Sequence, residues 1–234
     1  MSSYLGEFIG TLLLILLGNG VVASVVLKGS KSENAGWLVI VMGWGLAVSF
    51  AIYAVGSISG AHLNPAVTIA LAYVGSVEWT EVPMYILAQL LGAFAGAILV
   101  WIQFHPHWKR TEDSSAKLAV FCTAPAIRSV IPNLISEIIA TAVLILGLLI
   151  LGGNSFAEGL NPLVVGALII SIGLSLGGTT GFAINPARDL GPRIAHFVLP
   201  ISGKRDSDWS YAWIPIVGPI IGGLLGAFLH QTIF

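Results

Sequence analysis

The sequence contains two matching segments, SGAHLNPAVT at residues 59–68 and GFAINPARDLGP at residues 181–192. Each contains an Asn-Pro pair, which is typical of a helix start, because Asn caps free backbone N–H groups and Pro needs no partner at the first helical position. The apolar runs that follow, about 64–75 and 185–199, are too short to cross a bilayer. They predict two re-entrant half-helices beside a wet cavity, since irregular backbone at membrane depth needs water or protein around it.

The composition is that of a membrane protein. Of the 234 residues, 56% are hydrophobic and 9% are charged, against about a quarter charged in soluble domains. A helix needs roughly 20 apolar residues to cross a hydrocarbon core about 30 Å thick. Polar connections such as residues 105–117 separate six stretches of that length, at residues 4–27, 36–56, 82–104, 132–152, 160–179 and 210–232. The sequence therefore predicts an all-α protein with six transmembrane helices in the cell membrane.

Charge and cysteine content exclude several classes of partner. Ten basic and eleven acidic residues nearly cancel, so no overall electrostatic field points to nucleic acid. Cys122 is the only cysteine, which excludes an internal disulfide and a cysteine-based metal cluster. We expect contact with membrane lipid, and no nucleic acid, metal or cofactor.

The chain repeats itself. The matching pairs are GEFIGT at 6–11 with SEIIAT at 136–141, and LNPA at 63–66 with INPA at 184–187. They predict a single domain, residues 1–234, with internal repeats at about 4–104 and 132–232. Because three spans per repeat is an odd number, the two repeats insert with opposite orientation, and their half-helices enter from opposite faces.

The two Asn-Pro-Ala segments within a six-span inverted repeat resemble the signature loops of the aquaporin, or major intrinsic protein, family, and the resemblance covers nearly the whole chain. Asp189, Arg193 and the Pro215-Ile216 pair are similar to the bacterial glycerol-facilitator branch. The resemblance implies an aquaporin-like fold and a homotetramer with one pore in each subunit. Ala124 departs from this branch, which usually has an aromatic residue there, and favours a roomier outer vestibule.

The resemblance implies a pore centred on the two Asn-Pro-Ala boxes, which consist of Asn64, Pro65, Ala66, Asn185, Pro186 and Ala187. The prolines would meet at mid-membrane, and both Asn amides would donate into the lumen. Each half-helix N-terminus carries about half a positive charge. A cation would lose its water there and meet a positive field, whereas a neutral hydroxyl would accept a hydrogen bond.

The resemblance also implies an outer selectivity filter made of Trp44, Gly173, Phe182 and Arg188. Arg188 would donate to solute hydroxyls, and the two aromatic rings would form an apolar corner for the carbon chain. Water-only members of the family have a histidine where Gly173 stands, so this glycine is expected to leave room for three carbons. The alternatives are an interfacial role for Trp44, packing roles for Phe182 and Gly173, and an Arg188 that reaches the headgroups.

Two acids and two loop backbones complete the predicted site. Glu7 and Glu137 occupy equivalent repeat positions and are expected to accept N–H groups from the unwound loops, because buried acids need partners. His62 either lines the inner half of the pore or is a hydrogen-bonded core residue. The remaining predicted lining consists of backbone carbonyls at Gly60, Ala61, His62, Leu63, Phe182, Ala183 and Ile184.

These features favour passive conduction of glycerol, water and other small uncharged solutes, with exclusion of ions and protons. A water-selective channel and a channel for undissociated hydroxy acids such as lactic acid are the nearest alternatives. An ion-coupled transporter also uses inverted repeats and broken helices, and here only Glu7 and Glu137 could serve as its titrating groups. Gly173–Gly177 matches the nucleophile pattern G-x-S-x-G, but it lies in an apolar span without a preceding strand, so we predict no enzyme.

The distribution of basic residues conflicts with the family topology. Eight of the ten Lys and Arg residues lie in the connections opposite both termini, and the positive-inside rule would place those connections in the cytoplasm. The resemblance places both termini there instead. We follow the family topology, because the outer filter and the loop lengths match it.

Overall fold

The chain folds into helices joined by turns, and the computed structural model describes residues 2–234. Across that range the regular secondary structure is entirely helical. The helices are α1 (Ser3–Val26), α2 (Trp37–Ser59), α3 (Pro65–Tyr73), α4 (Val82–Gln103), α5 (His105–Arg110), α6 (Ser114–Ala119), α7 (Val130–Gly152), α8 (Asn161–Ser175), α9 (Pro186–Val198) and α10 (Ile214–Ile233). The predicted all-α membrane fold is confirmed, and α5 and α6 are two short additional helices that begin within the predicted connection at 105–117.

The spanning helices match the predicted stretches except in one place. Five of them, α1, α2, α4, α7 and α10, are long and apolar enough to cross a membrane. The fifth stretch, predicted at 160–179, forms the 15-residue α8 instead. The regular pattern ends after Leu176, because the Gly177 amide donates to the Ile172 carbonyl at 3.1 Å, five residues back instead of four. The chain then turns and brings Thr180 into the interior, where it is 1% exposed.

The two half-helices begin at the Asn-Pro pairs. Asn64 caps α3 by accepting from the Ala66 amide, and Asn185 caps α9 by accepting from the amides of Ala187 and Arg188. At about 1.5 Å per residue, the 9 residues of α3 and the 13 of α9 are each too short to cross the hydrocarbon core. Each half-helix therefore begins in the interior of the protein, with its N-terminus buried, and covers only part of the hydrocarbon core.

The helix packing follows a two-fold pattern. In the first half α1 packs against α2 and α4, and in the second half α7 packs against α8 and α10. The halves meet where α2 contacts α8, and each half-helix crosses over, so that α3 packs on α10 and α9 packs on α4. This symmetry supports the inverted repeat, and the repeat boundaries at 4–104 and 132–232 stay a prediction.

Small residues allow the closest helix pairs to approach in both halves. A Cβ atom on Gly96 of α4 would lie 2.6 Å from the Leu12 carbonyl oxygen, and one on Gly226 of α10 would lie 2.5 Å from the Ala142 carbonyl oxygen. Backbone atoms cannot move aside at such distances. Glycine at these two positions is therefore needed for the α1–α4 and α7–α10 contacts, as in other small-xxx-small pairs.

Two lysines in the connections opposite the termini stabilise those connections through hydrogen bonds. The Lys204 ammonium donates to the carbonyls of His196, Phe197 and Leu199 at 2.6–2.8 Å, which caps the C-terminus of α9. Lys117 is 3% exposed and donates to the Ser202 carbonyl. These contacts explain why basic residues occur in the connections opposite the termini without reference to the positive-inside rule.

Candidate functional site

A cavity of about 270 Å³ lies between the two halves of the molecule. It runs from Gly152 and Asn161, near the α7–α8 connection, to Trp44 and Arg188. One part of its lining comes from the two loops before the half-helices, residues 60–64 and 182–185. The rest is mainly apolar and includes Leu14, Val48, Ile52, Val67, Leu144, Ile145, Leu148, Val165 and Ile169.

Asn64 and Asn185 meet inside this cavity and tie the two loops together. The Asn64 amide nitrogen donates to the Ile184 carbonyl, and the Asn185 amide nitrogen donates to the Leu63 carbonyl, both at 2.8 Å. Each side-chain oxygen caps its own half-helix, so the capping and cross-loop bonds fix the amide orientation. Because an amide nitrogen carries two N–H groups, each Asn has one more donor for a solute in the cavity.

The other members of the two boxes lie behind the Asn side chains. Pro65 and Pro186 are the first residues of α3 and α9, and both are buried together with Ala66 and Ala187. None of the four lines the cavity among residues 2–234. They set the positions of the half-helix starts instead of contacting a solute.

The loop before each Asn follows an unusual backbone path. Ala61 and Leu63 have φ of 50° and 54°, and Phe182 and Ile184 have φ of 40° and 43°. Residues with side chains rarely adopt this left-handed region, which costs about 1–3 kcal/mol each. The two loops share this strained backbone at matching positions, and the carbonyls of Leu63 and Ile184 accept the cross-loop bonds.

Two buried acids stabilise these strained loops. Glu7 accepts from the amides of His62 and Leu63 at 2.9 and 2.7 Å, and also from the Ser59 hydroxyl and the Gln89 amide. Its side chain is 0% exposed, so it has no contact with the lumen. Glu7 therefore replaces the backbone partners that the unwound chain lacks.

Glu137 has the same role in the second loop. It accepts from the amides of Ala183 and Ile184 at 3.0 and 2.9 Å and from the Thr180 hydroxyl at 2.6 Å. It is 1% exposed. The matched bonding of the two acids favours the bracing role over the proton-relay alternative.

Replacing Glu137 with glutamine is expected to lower the free energy of unfolding by about 1–3 kcal/mol, because one acceptor oxygen becomes a donor that faces an N–H group. Thermal unfolding of the detergent-solubilised protein, followed by size-exclusion chromatography, measures the change. The same replacement at the exposed Glu158 is the control. Equal unfolding temperatures for the two variants would contradict the bracing role.

His62 combines both predicted alternatives. Its ring lines the cavity, and its Nδ1 atom lies 3.2 Å from the Thr68 hydroxyl. The ring also packs against Tyr85, with centroids 4.8 Å apart. The histidine is half-buried, lines the cavity and is also held by contacts within the protein.

Arg188 and Trp44 both line the cavity and contact each other. The guanidinium carbon of Arg188 lies 4.2 Å from the centroid of the Trp44 ring, in a cation–π contact. Its Nη1 atom donates to the Phe121 carbonyl at 3.3 Å. Arg188 is 7% exposed and lines the cavity, so it does not reach outward to lipid headgroups.

The other two predicted filter residues have different positions. Phe182 lines the cavity and packs edge-on against Trp37, with ring centroids 5.6 Å apart. Gly173 does not line the cavity. A Cβ atom on Gly173 would lie 3.0 Å from Cζ of Phe182 and 2.7 Å from Cγ1 of Val41. The space that Gly173 leaves is therefore filled by the Phe182 ring, not by the lumen.

A buried ion pair joins Asp189 and Arg193, which the sequence marked only as a resemblance to the glycerol-facilitator branch. Asp189 and Arg193 are both 0% exposed and 2.7 Å apart. Asp189 also accepts from the amide and hydroxyl of Thr123, and Arg193 donates to the carbonyls of Ser207 and Asp208. The pair thus ties two outer connections to α9, directly after Arg188.

The apolar wall was also missed by the sequence analysis. Leu14, Leu144 and Ile169 line the cavity, but their helices are apolar on every side, so hydropathy does not separate lumen-facing from lipid-facing residues. Their spacing within the helices carries no signal that could have identified them.

Comparison with known proteins identifies relatives over the whole chain. The family model described as major intrinsic protein matches residues 1–230. A probable glycerol uptake facilitator protein of Thermotoga maritima is 65% identical and covers 100% of both chains. The glycerol uptake facilitator protein of Bacillus subtilis is 59% identical over 100% of this chain and 85% of its own. The solved aquaglyceroporin of Plasmodium falciparum superposes with a TM-score of 0.86 at 32% identity, covering 99% of this chain and 95% of that chain.

Proposed function

Because the chain belongs to the major intrinsic protein family, we propose that it is a passive channel for glycerol and other small uncharged solutes, and for water. It is a multi-pass protein of the cell membrane. Its relatives named glycerol uptake facilitators support glycerol as the solute.

The division of the cavity wall into a polar strip and an apolar remainder carries this proposal. Glycerol has hydroxyls along one edge and a carbon chain along the other. The loops at residues 60–64 and 182–185 line the cavity, and we infer that their carbonyls and the two Asn amides bind the hydroxyls. The aliphatic side chains on the other helices form an apolar surface that the carbon chain can contact. A solute can therefore lose most of its water and still satisfy its hydrogen bonds.

The same wall supports exclusion of ions. Of the residues that line the cavity within 2–234, none is a carboxylate, and Arg188 is the one with a permanent positive charge. The N-termini of α3 and α9 add partial positive charge at the Asn pair. A cation has no counter-charge in this lumen, and a small anion would face an apolar wall.

We also propose the predicted roles for the individual residues. Asn64 and Asn185 donate to the solute at the centre, Arg188 donates at the narrow end, and Trp44 with Phe182 contacts the carbon chain. The homotetramer stays a proposal drawn from the family, and many large apolar side chains lie exposed on the outer helix faces, where lipid or other subunits would cover them.

Purified protein in liposomes tests the function. We expect an inward glycerol gradient to produce rapid swelling, because water follows the entering glycerol, at least about tenfold faster than in empty liposomes and independent of proton or sodium gradients. Light scattering in a stopped-flow instrument measures both water and solute permeability. Matched vesicles without protein give the background.

Each alternative has its own outcome in this assay. Water flux without glycerol flux would favour a water-selective channel. Lactic acid flux that rises as the pH falls, with slow glycerol, would favour a hydroxy-acid channel. Uptake that follows an imposed ion gradient would indicate coupled transport and contradict the passive mechanism.

A further inference from the structure

Asn19 is a polar residue inside the apolar α1 that the proposed function does not use. It is 0% exposed and does not line the cavity. Its amide nitrogen donates to the Phe121 carbonyl at 3.3 Å. Its side-chain oxygen accepts no hydrogen bond from any of residues 2–234.

Stability alone does not explain this asparagine. A buried amide that satisfies one hydrogen bond and leaves its oxygen unpaired destabilises the fold relative to an apolar side chain of similar volume. A leucine at this position would remove the unpaired oxygen and suit the membrane interior. Unsatisfied polar groups of this kind point to a role other than packing.

The Phe121 carbonyl connects Asn19 to the filter. The same oxygen accepts from Arg188 Nη1, also at 3.3 Å. A carbonyl oxygen has two lone pairs, so one can bind Asn19 while the other binds the guanidinium. Phe121 itself is 0% exposed, and its ring packs between Trp108 and His196. Asn19 thus holds the orientation of the carbonyl that accepts from the Arg188 guanidinium.

Gly18, the residue before Asn19, contacts Trp44, which is the aromatic partner of Arg188 in the cation–π pair. A Cβ atom on Gly18 would lie within 2.5 Å of three carbons of the Trp44 indole. The indole therefore occupies the space beside Gly18, and its ring is the one that Arg188 stacks on. Neighbouring positions on α1 thus fix both partners of the cation–π pair.

We propose that Asn19 is a positioning residue of the selectivity filter: through the Phe121 carbonyl it holds Arg188 over Trp44 and thereby sets the preference for glycerol over water. This inference rests on the proposed function. Glycerol must bind Arg188 and contact the aromatic rings at once, so its passage depends on the guanidinium position more strongly than that of water.

The test replaces Asn19 with leucine and measures glycerol and water permeability in liposomes. The ratio of glycerol to water permeability is expected to fall about fivefold, the change that the loss of one hydrogen bond produces. Thr11→Val is the matched control, because Thr11 is an equally buried polar residue on α1 whose hydroxyl has no partner within residues 2–234. This control should leave the ratio unchanged. Asn19→Ser serves as a second variant if the leucine protein does not fold, with the same expected decrease.

A double-mutant cycle separates positioning from general structural damage. In an Arg188→Ala protein, the added Asn19→Leu change should leave the permeability ratio where Arg188→Ala alone puts it. An additive second decrease, or an unchanged ratio in the Asn19 single variants, would overturn the inference. If the wild-type protein conducts water but no glycerol, the proposed solute is wrong. The inference is then judged on water permeability alone, which Asn19→Leu should change and Thr11→Val should not.

Discussion

Replacing Asp189 with alanine is expected to lower the free energy of unfolding by about 3–5 kcal/mol, because it leaves the Arg193 guanidinium buried without its counter-charge. Both side chains are 0% exposed, so neither water nor lipid headgroups can replace the lost carboxylate. The change also removes the acceptor for the amide and hydroxyl of Thr123. Because native proteins are only marginally stable, this loss should lower both the yield of folded protein and its unfolding temperature.

The yield of monodisperse protein after detergent extraction, together with its unfolding temperature, measures this effect. Asp206→Ala is the control, because its ion pair with Arg205 is exposed, with 71% of the Asp206 side chain accessible, and such pairs contribute about 1 kcal/mol at most. A fully folded Asp189→Ala protein that unfolds at the wild-type temperature would show that the buried pair does not hold the outer connections.

Replacing Gly173 with valine is expected to lower glycerol permeability by about tenfold or more, because the new side chain competes with the Phe182 ring for one space. The Cβ position already lies 3.0 Å from the ring and 2.7 Å from Val41, and such overpacking forces neighbours to move. Val41 is 0% exposed and enclosed, whereas Phe182 borders the cavity. The ring should therefore shift into the lumen and narrow the passage.

Stopped-flow light scattering of liposomes in a glycerol gradient measures this effect, with water permeability recorded on the same vesicles. Water should be affected less than glycerol, since it is the smaller solute. Gly178→Ala is the matched control, as no atom lies within 4 Å of a Cβ at that position. Undiminished glycerol flux through the Gly173→Val protein would show that the Phe182 ring does not border the passage.

The half-helices and their braces could be predicted from the sequence because each has a local signal that occurs twice. The Asn-Pro pairs mark helix starts by capping chemistry alone, and the runs behind them are visibly too short to span. Glu7 and Glu137 stand out because acids inside apolar spans are rare and need partners. Local rules therefore sufficed to place the start of α3 at Pro65 and that of α9 at Pro186.

The remaining features depend on contacts between distant parts of the chain. Gly173 was expected to enlarge the lumen, but which neighbour fills its space depends on the rotamer of Phe182 and the packing of Val41. Helix α8 ends just before the glycine pair Gly177-Gly178, and hydropathy does not detect this end. Arg193 finds its partners in connections whose paths are set by tertiary structure, so sequence reasoning could mark the residue but not its role.

The paired bonds between Asn64 and Ile184 and between Asn185 and Leu63 join residues 120 and 122 positions apart. During synthesis the first loop therefore lacks its hydrogen bonds to the second loop until the ribosome has made the second loop. At elongation rates of about 5–20 residues per second, this delay is on the order of ten seconds. The conducting path therefore cannot be completed before the second half is made, and a chain that stops after its first half carries a loop without the partner that completes it.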